Sequence, residues 1–314
     1  MIWNLDELEE VKCDLCGSSM TEQIFLRADG LNVVECKNCG LCFVSPRPKK
    51  DLIAKMYDRG YFEKGKDECS SYGYDNYFGY SNRNYLLQRW EFMTNLIFDI
   101  TKKRTGKALE IGCATGEFCY VLDKRGLKVL GVDISNSAIL EAKRRYPNID
   151  FFVGSVEDLP EKEKFDYIFA FEVIEHVLSP TEFFKTIKRL LSKDGIFVLS
   201  TPNYNCGKKV GLEHWIGFNG SFEHLYFFAP EILKMYGEKT GLSLMEWFTD
   251  DVEGVIQIHN KESFKKAFIK KVLNKLNLIE FSRKVKYYIV RPKYEFHCAK
   301  EGDGNDLFML FYNK

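Results

Sequence analysis

The stretch that most constrains the fold is residues 107–116, Lys-Ala-Leu-Glu-Ile-Gly-Cys-Ala-Thr-Gly. A short apolar run ends in an acid, Glu110, and two glycines follow, Gly112 and Gly116, just before a segment of helical character over residues 117–125. A strand, a tight turn and a helix in that order leave the first N–H groups of the helix facing the turn. Glycine supplies the positive φ that such a turn demands and lets the backbone approach a ligand closely. The stretch therefore reads as one wall of a cofactor crevice.

Around it, apolar runs alternate with helical patterns. Strands are expected near 107–111, 128–133, 149–153, 165–171, 195–201, 242–249 and 307–312, with helices after most of the first five and over 229–239. Such alternation implies a parallel sheet covered on both faces. Leu86, Leu87, Trp90, Met93, Leu96, Ile97 and Ile100 recur at helical spacing, so residues 83–103 form a long amphipathic helix that ends near Gly106.

The turn does not carry the dinucleotide fingerprint G-x-G-x-x-G. It reads E-x-G-x-x-x-G, with no glycine at position 114. A second apolar strand ends in Asp133, 23 residues after Glu110, and a third is followed by Gly154-Ser155-Val156-Glu157-Asp158. This ordered set resembles the class I S-adenosylmethionine (SAM) methyltransferases; a generic nucleotide-binding turn is the alternative. The resemblance implies an α/β fold, a Rossmann-like seven-stranded methyltransferase sheet with helices on both faces and a closing antiparallel strand. It also implies SAM as cofactor, with its amino-acid end at Glu110, Gly112 and Gly116, its ribose on Asp133 and its adenine at Ser155 and Val156. The family commonly has aspartate at position 155, so Ser155 departs from the usual adenine contact.

Upstream, Cys13-Asp-Leu-Cys16-Gly and Cys36-Lys-Asn-Cys39-Gly form two C-x-x-C-G knuckles separated by 19 residues. That spacing matches a four-cysteine structural zinc site; a redox dithiol pair and a rubredoxin-type iron site are the alternatives. Residues 23–27 and 32–35 read as two strands of a small ribbon joined by Ala28-Asp29-Gly30. So short a segment cannot bury a core of its own, and a metal is expected to supply the folding energy. Cys42 extends the second knuckle but reads as a bystander. The expected division is a zinc ribbon over 1–48, a connecting region over 49–105, and a methyltransferase domain over 106–314 with an insertion at 251–305.

Two stretches are less determinate. Residues 60–84 follow a short expected helix at 51–57 and carry Tyr61, Phe62, Tyr72, Tyr74, Tyr77, Phe78 and Tyr80 without periodicity, as a lid, an acceptor pocket or a plain plug would. In the insertion, Phe264, Phe268, Val272, Leu276 and Ile279 form an apolar helical stripe beside many lysines. It reads as a packed helix with a solvated outer face, or as a dock for an anionic acceptor, a membrane surface or RNA.

After the fourth strand comes Phe171-Glu172-Val173-Ile174-Glu175-His176, and beyond the fifth lies Phe222-Glu223-His224. Ligands bind outside the carboxyl ends of strands in open α/β sheets, which puts these side chains beside the crevice. A helical turn over 172–176 would set Glu172, Glu175 and His176 on one face. Carboxylates with imidazoles suit a divalent cation such as Mg²⁺ or Mn²⁺, and a histidine alone suits a general base. The arrangement is similar to the E-x-x-E-H segment of ubiquinone-pathway O-methyltransferases, which implies roles for Glu172, Glu175 and His176. It also resembles the small-RNA 2′-O-methyltransferases, which adds His224. Both groups act on neighbouring hydroxyls.

The chain has 45 basic and 45 acidic residues, so no bulk electrostatic attraction to nucleic acid is expected. It has no run of about 18 apolar residues and an acidic start, which predicts a cytoplasmic protein without a membrane span. Chains that join a ribbon to such a domain resemble enzymes that modify sugars, including C-methyltransferases whose larger carboxyl-terminal domain has no counterpart here. The expectation is O-methylation of a small-molecule acceptor, a sugar or other diol. RNA 2′-O-methylation and non-catalytic SAM binding are the rivals.

Overall fold

The strand order of the main sheet reverses at β4 (Lys107–Ile111), which lies between β5 (Lys128–Asp133) and β7 (Phe165–Phe171). These relations come from a computed structural model that describes residues 3–56, 80–219, 221–250, 256–258, 293–295, 298–299, 302 and 304–314. Beyond β5 runs the parallel edge strand β6 (Asp150–Val153), and beyond β7 the parallel β8 (Leu191–Pro202). Then β12 (Asp306–Tyr312) enters antiparallel between β8 and β10 (Ser243–Asp250). The expected seven strands are thus present. An eighth, β11 (Cys298–Ala299), adds two residues to the edge of β10.

Both faces of the sheet are covered, which is why the central strands are buried almost throughout rather than alternating. On one face, α2 (Tyr80–Thr101), α3 (Glu117–Lys124) and α4 (Asn136–Arg145) bury Met93, Ile97, Phe118, Leu122 and Ile139 against Ala108, Tyr167, Phe169 and Val198. On the other, α5 (Pro180–Leu190) and α6 (Pro230–Thr240) pack Phe184, Ile187, Leu233 and Tyr236 against Ile168, Phe197 and Phe311. Rings of Phe184 meet Phe197 and Phe311 edge-on at 5.6 Å, a geometry that adds to the burial energy.

The cysteine segment forms a second sheet from β1 (Thr21–Leu26), β2 (Asn32–Cys36) and β3 (Cys42–Val44). Its fourth strand comes from the far side of the chain. β9 (Tyr226–Phe227) pairs antiparallel with β3, Tyr226 opposite Phe43 and Phe227 opposite Cys42. Leu15, Val33, Leu41, Phe43 and Val44 belong to the same buried cluster as Ile168 and Phe197 of the main sheet. Burial against the larger domain therefore stabilises the ribbon as well, beside the metal expected to supply folding energy.

The short helix α1 (Lys50–Met56) follows the ribbon. The aromatic stretch over 60–84 falls mostly outside the described residues. So does the apolar and basic stripe of the insertion; its described pieces, Ile256–Ile258 and Lys293–Glu295, are extended and pair antiparallel.

Candidate active site

A cavity of about 870 Å³ opens at the carboxyl ends of β4, β5 and β7. Glu110, Gly112, Asp133, Ser155 and Val156 all line it, together with Ala114 and Ile134. Gly112 and Gly116 have φ of 71° and 81°. A Cβ on Gly112 would stand 2.6 Å from Val173 Cγ2, and one on Gly116 2.8 Å from the Phe151 ring. Both glycines are required by the chain's own packing, before any ligand is considered.

Asp133 shapes the same loop. One of its oxygens accepts the Ala114 N–H at 2.9 Å and the other the Ser135 N–H at 2.8 Å. Burial raises its carboxyl above the ordinary range, while those two backbone donors pull it back. Each oxygen keeps a lone pair for a ligand hydroxyl. Glu110, at the floor, accepts the Cys119 thiol at 2.9 Å, and burial pushes its carboxyl up to about 8. Ser155 opens a short 3-10 turn, Val156–Asp158, whose Asp158 carboxylate accepts the Ser155 N–H at 2.9 Å; its hydroxyl is turned to Glu157.

The helical turn expected over 172–176 is not formed. Glu172 adopts φ 54°, a left-handed conformation rare for a residue with a side chain, and the turn begins only after it. Its backbone N–H reaches Ser200 O at 3.0 Å, and its carboxylate accepts the Ser200 hydroxyl at 2.6 Å. Buried beside the Asp306 charge, Glu172 is pushed up to about 7. Glu172 and His176 line the cavity, whereas Glu175 and His224 stand behind that wall. The four residues approach one another, but only two of them face the space where an acceptor would sit.

Behind the wall, Glu175 Oε1 lies 3.8 Å from His176 Nε2 and 4.0 Å from His224 Nε2. The two imidazoles meet edge-on at 4.8 Å. Neither Glu175 oxygen has a well-formed hydrogen bond among the described residues, although Glu172 and Thr201 are close enough to act on its ionisation. Burial, then the Glu172 charge, raises the Glu175 carboxyl well above its usual range. Burial lowers His176 to about 4 and His224 well below the ordinary histidine value, so both rings are neutral at pH 7. His176 Nδ1 faces the Glu223 carbonyl at 3.3 Å, and a carbonyl only accepts. The proton therefore sits on Nδ1, and Nε2 carries the basic lone pair.

The four knuckle sulfurs converge. Cys13 and Cys39 Sγ are 3.4 Å apart, Cys16 and Cys36 Sγ 3.5 Å, and all four lie within 4.8 Å of one another. A disulfide needs about 2.05 Å, whereas thiolates about 2.3 Å from a tetrahedral zinc are spaced near these distances. The donor set fits zinc. Cys42 is buried outside this cluster, directed at Glu35.

Sequence reasoning missed five contributors. Tyr85, Arg89 and Trp90 of α2 line the cavity, with Trp90 stacked on Phe171 at 4.8 Å. Ser200 holds Glu172. Arg27, fully buried in the ribbon hairpin and paired with Asp29, donates to the carbonyls of His224 at 2.8 Å and Phe222 at 2.7 Å. Helical periodicity flagged Trp90 only as a packing residue, and nothing local in the sequence links Arg27 to His224.

The sequence pattern of the family described as Methyltransferase domain matches residues 83–246. A ubiquinone biosynthesis O-methyltransferase of Bradyrhizobium diazoefficiens is 35% identical over 141 residues, 41% of this chain and 55% of that protein. One of Pelagibacter ubique is 34% identical over 149 residues, covering 44% and 62%. The chain thus spans little more than half the length of these relatives. Among solved structures, magnesium protoporphyrin IX methyltransferase from Synechocystis, with bound SAH, aligns at 12% identity and a TM-score of 0.47, over 83% of this chain and 94% of that one. A SAM-dependent methyltransferase from Clostridium acetobutylicum aligns at 12% identity and a TM-score of 0.46, over 72% and 92%. The family match takes in more than half of the chain and spans β4 to β8, the glycine turn and the Glu172–His176 segment; this chain belongs to the class I SAM-dependent methyltransferases.

Proposed function

We propose that this protein transfers the methyl group of SAM to a hydroxyl oxygen of a small polyhydroxylated acceptor, a sugar or another vicinal diol. The cofactor is held by Glu110, Gly112 and Gly116 at its amino-acid end, by Asp133 at the ribose, and by Ser155 and Val156 near the adenine. When bound, SAM supplies an activated methyl group on a good leaving group. What remains for the protein is to orient an acceptor oxygen in line and take its proton. The His176 imidazole would accept the proton that the acceptor hydroxyl gives up as the methyl group is transferred.

The observation that carries this reading is the state of His176. It lines the same cavity as Asp133, it is neutral, and its tautomer puts the lone pair on Nε2. The names of the relatives support oxygen as the methylated atom. His176→Ala should lower kcat by roughly 10²–10⁴ on a catechol or sugar acceptor, with SAM affinity unchanged by calorimetry. Full turnover in that variant would sink the assignment.

The unsatisfied carboxylate of Glu175 favours a second reading, in which Glu175, His176 and His224 hold a divalent cation such as Mg²⁺ or Mn²⁺. Their donor atoms, 3.8 and 4.0 Å apart from Glu175 to the two imidazoles, are spaced wider than the ~3.0 Å edge expected for ligands about 2.1 Å from an octahedral ion, so the side chains would have to draw together by about 1 Å to close the site. Chelation separates the two readings: lost turnover restored by Mn²⁺ supports the cation, and indifference leaves the base. For the knuckles we propose a structural zinc on Cys13, Cys16, Cys36 and Cys39, with the ribbon spanning 1–48, a connecting region 49–105 and the methyltransferase domain 106–314. Elemental analysis should find one zinc per chain; iron or no metal would refute it.

A further inference from the structure

Three successive carbonyls of one loop are held at once. Arg27 donates to Phe222 O and His224 O, and the carbonyl between them, on Glu223, accepts His176 Nδ1–H. The guanidinium also lies over the Phe222 ring at 5.5 Å, and its own charge is balanced by Asp29, to which Nε donates at 3.1 Å. Just beyond, the N–H groups of Leu225 and Tyr226 return to Glu175 O at 2.8 and 3.2 Å. The loop is therefore clamped from the ribbon on one side and from the Glu175–His176 turn on the other.

We propose that Arg27 is a positioning residue for His176: by gripping the carbonyls on either side of Glu223 it aims the Glu223 carbonyl at Nδ1 and so selects the tautomer that leaves the ring's lone pair on Nε2. The proposal rests on the reading of His176 as proton acceptor. It gives the ribbon a task in the chemistry, because the hairpin that presents Arg27 joins β1 to β2, and β2 ends in the metal-ligand candidate Cys36. A planar guanidinium suits the task. Its fork can serve two carbonyls and a carboxylate together, which the compact ammonium of lysine cannot do with the same geometry.

A merely structural Arg27 would, when removed, loosen the ribbon without choosing between ring tautomers. The experiment therefore reads the ring directly, by long-range proton–nitrogen NMR of the His176 imidazole in the full zinc-loaded chain, with SAM affinity measured beside it. Wild type should show the Nδ1–H form alone. The charge-balanced variant Arg27→Met with Asp29→Asn should show a mixture of the two tautomers, with SAM affinity within about twofold, because the crevice lies on other elements. Faster amide exchange at Leu225 and Tyr226 should accompany it. Arg27→Lys, which keeps the buried charge, covers the case in which the double variant folds poorly, and should show an intermediate mixture. An unchanged single tautomer in a variant that still binds SAM would overturn the proposal. A His176→Ala enzyme that methylates at the normal rate would instead remove the catalytic reading and leave the tautomer result standing, so the two failures are separable.

Discussion

Glu110 lies in a buried acidic setting, with the Glu117 and Asp133 charges acting on it. With its carboxyl held near 8 by burial and by the neighbouring Glu117 and Asp133 charges, it is mostly protonated at pH 7. An ammonium group arriving beside it would favour the ionised form, so SAM binding should expel a proton. Affinity should then climb by up to about tenfold per pH unit on the acid side of 8. Above that the cofactor's own α-amino group, with a pKa of about 7.7–8.0, loses its charge and affinity should fall again. Titration calorimetry in buffers of different ionisation enthalpy would count the proton, and Glu110→Gln should flatten the acid limb. A flat profile in the wild type would place the ammonium elsewhere. Glu172 shows how a single dihedral limits sequence reading: spacing at i, i+3 and i+4 suggested one helical face, but φ 54° at Glu172 breaks the turn before it starts. The tie from its backbone N–H to Ser200 O holds that conformation, and the tie is invisible in the local sequence.

Among the elements, the knuckle loop does more than enclose four sulfurs. Asp14, between Cys13 and Cys16, accepts the Thr181 N–H at 2.8 Å and the Ser179 hydroxyl at 2.6 Å, which makes it an external cap for α5. Tyr236 of α6 also donates to it at 3.1 Å. Asp14→Ala should cost about 1–2 kcal/mol of stability by the usual worth of a cap, read by chemical denaturation, and should leave SAM affinity alone. A loss under about 0.5 kcal/mol, ordinary for surface changes, would show that the cap is redundant. The strands of the main sheet were legible because each is an apolar run closed by turn residues. β8 was legible only from residue 195: Lys193-Asp194-Gly195 looks like a turn, yet the strand begins at Leu191 and carries an irregularity there, with Asp194 at φ 58°. The fourth strand of the ribbon was not legible at all. β9 is two residues long, and its neighbour Arg27 contacts a residue 197 positions away. No periodicity reports a contact of that separation.

For the whole molecule, equal numbers of acidic and basic residues predict little long-range field. Acceptor affinity should change by less than about twofold between 50 and 200 mM salt, whereas a partner held by several phosphate contacts would weaken by roughly 10³–10⁵. A steep salt slope in a binding assay would reopen the nucleic-acid alternative. No helix among the described residues is long and apolar enough to cross a membrane.

The placement of β12 also governs when this protein can come into being. Phe308, Met309, Leu310 and Phe311 are wholly buried between β8 and β10, so the sheet has an open seam until residues 306–312 have been made. The ribbon has the same difficulty earlier in synthesis. β3 leaves the ribosome with an unpaired edge and waits more than 180 residues for β9. Exposed edges of this kind invite pairing with other chains. The main sheet therefore cannot close until residue 312 has emerged, and a nascent chain halted before residue 226 would present two unfinished sheets at once.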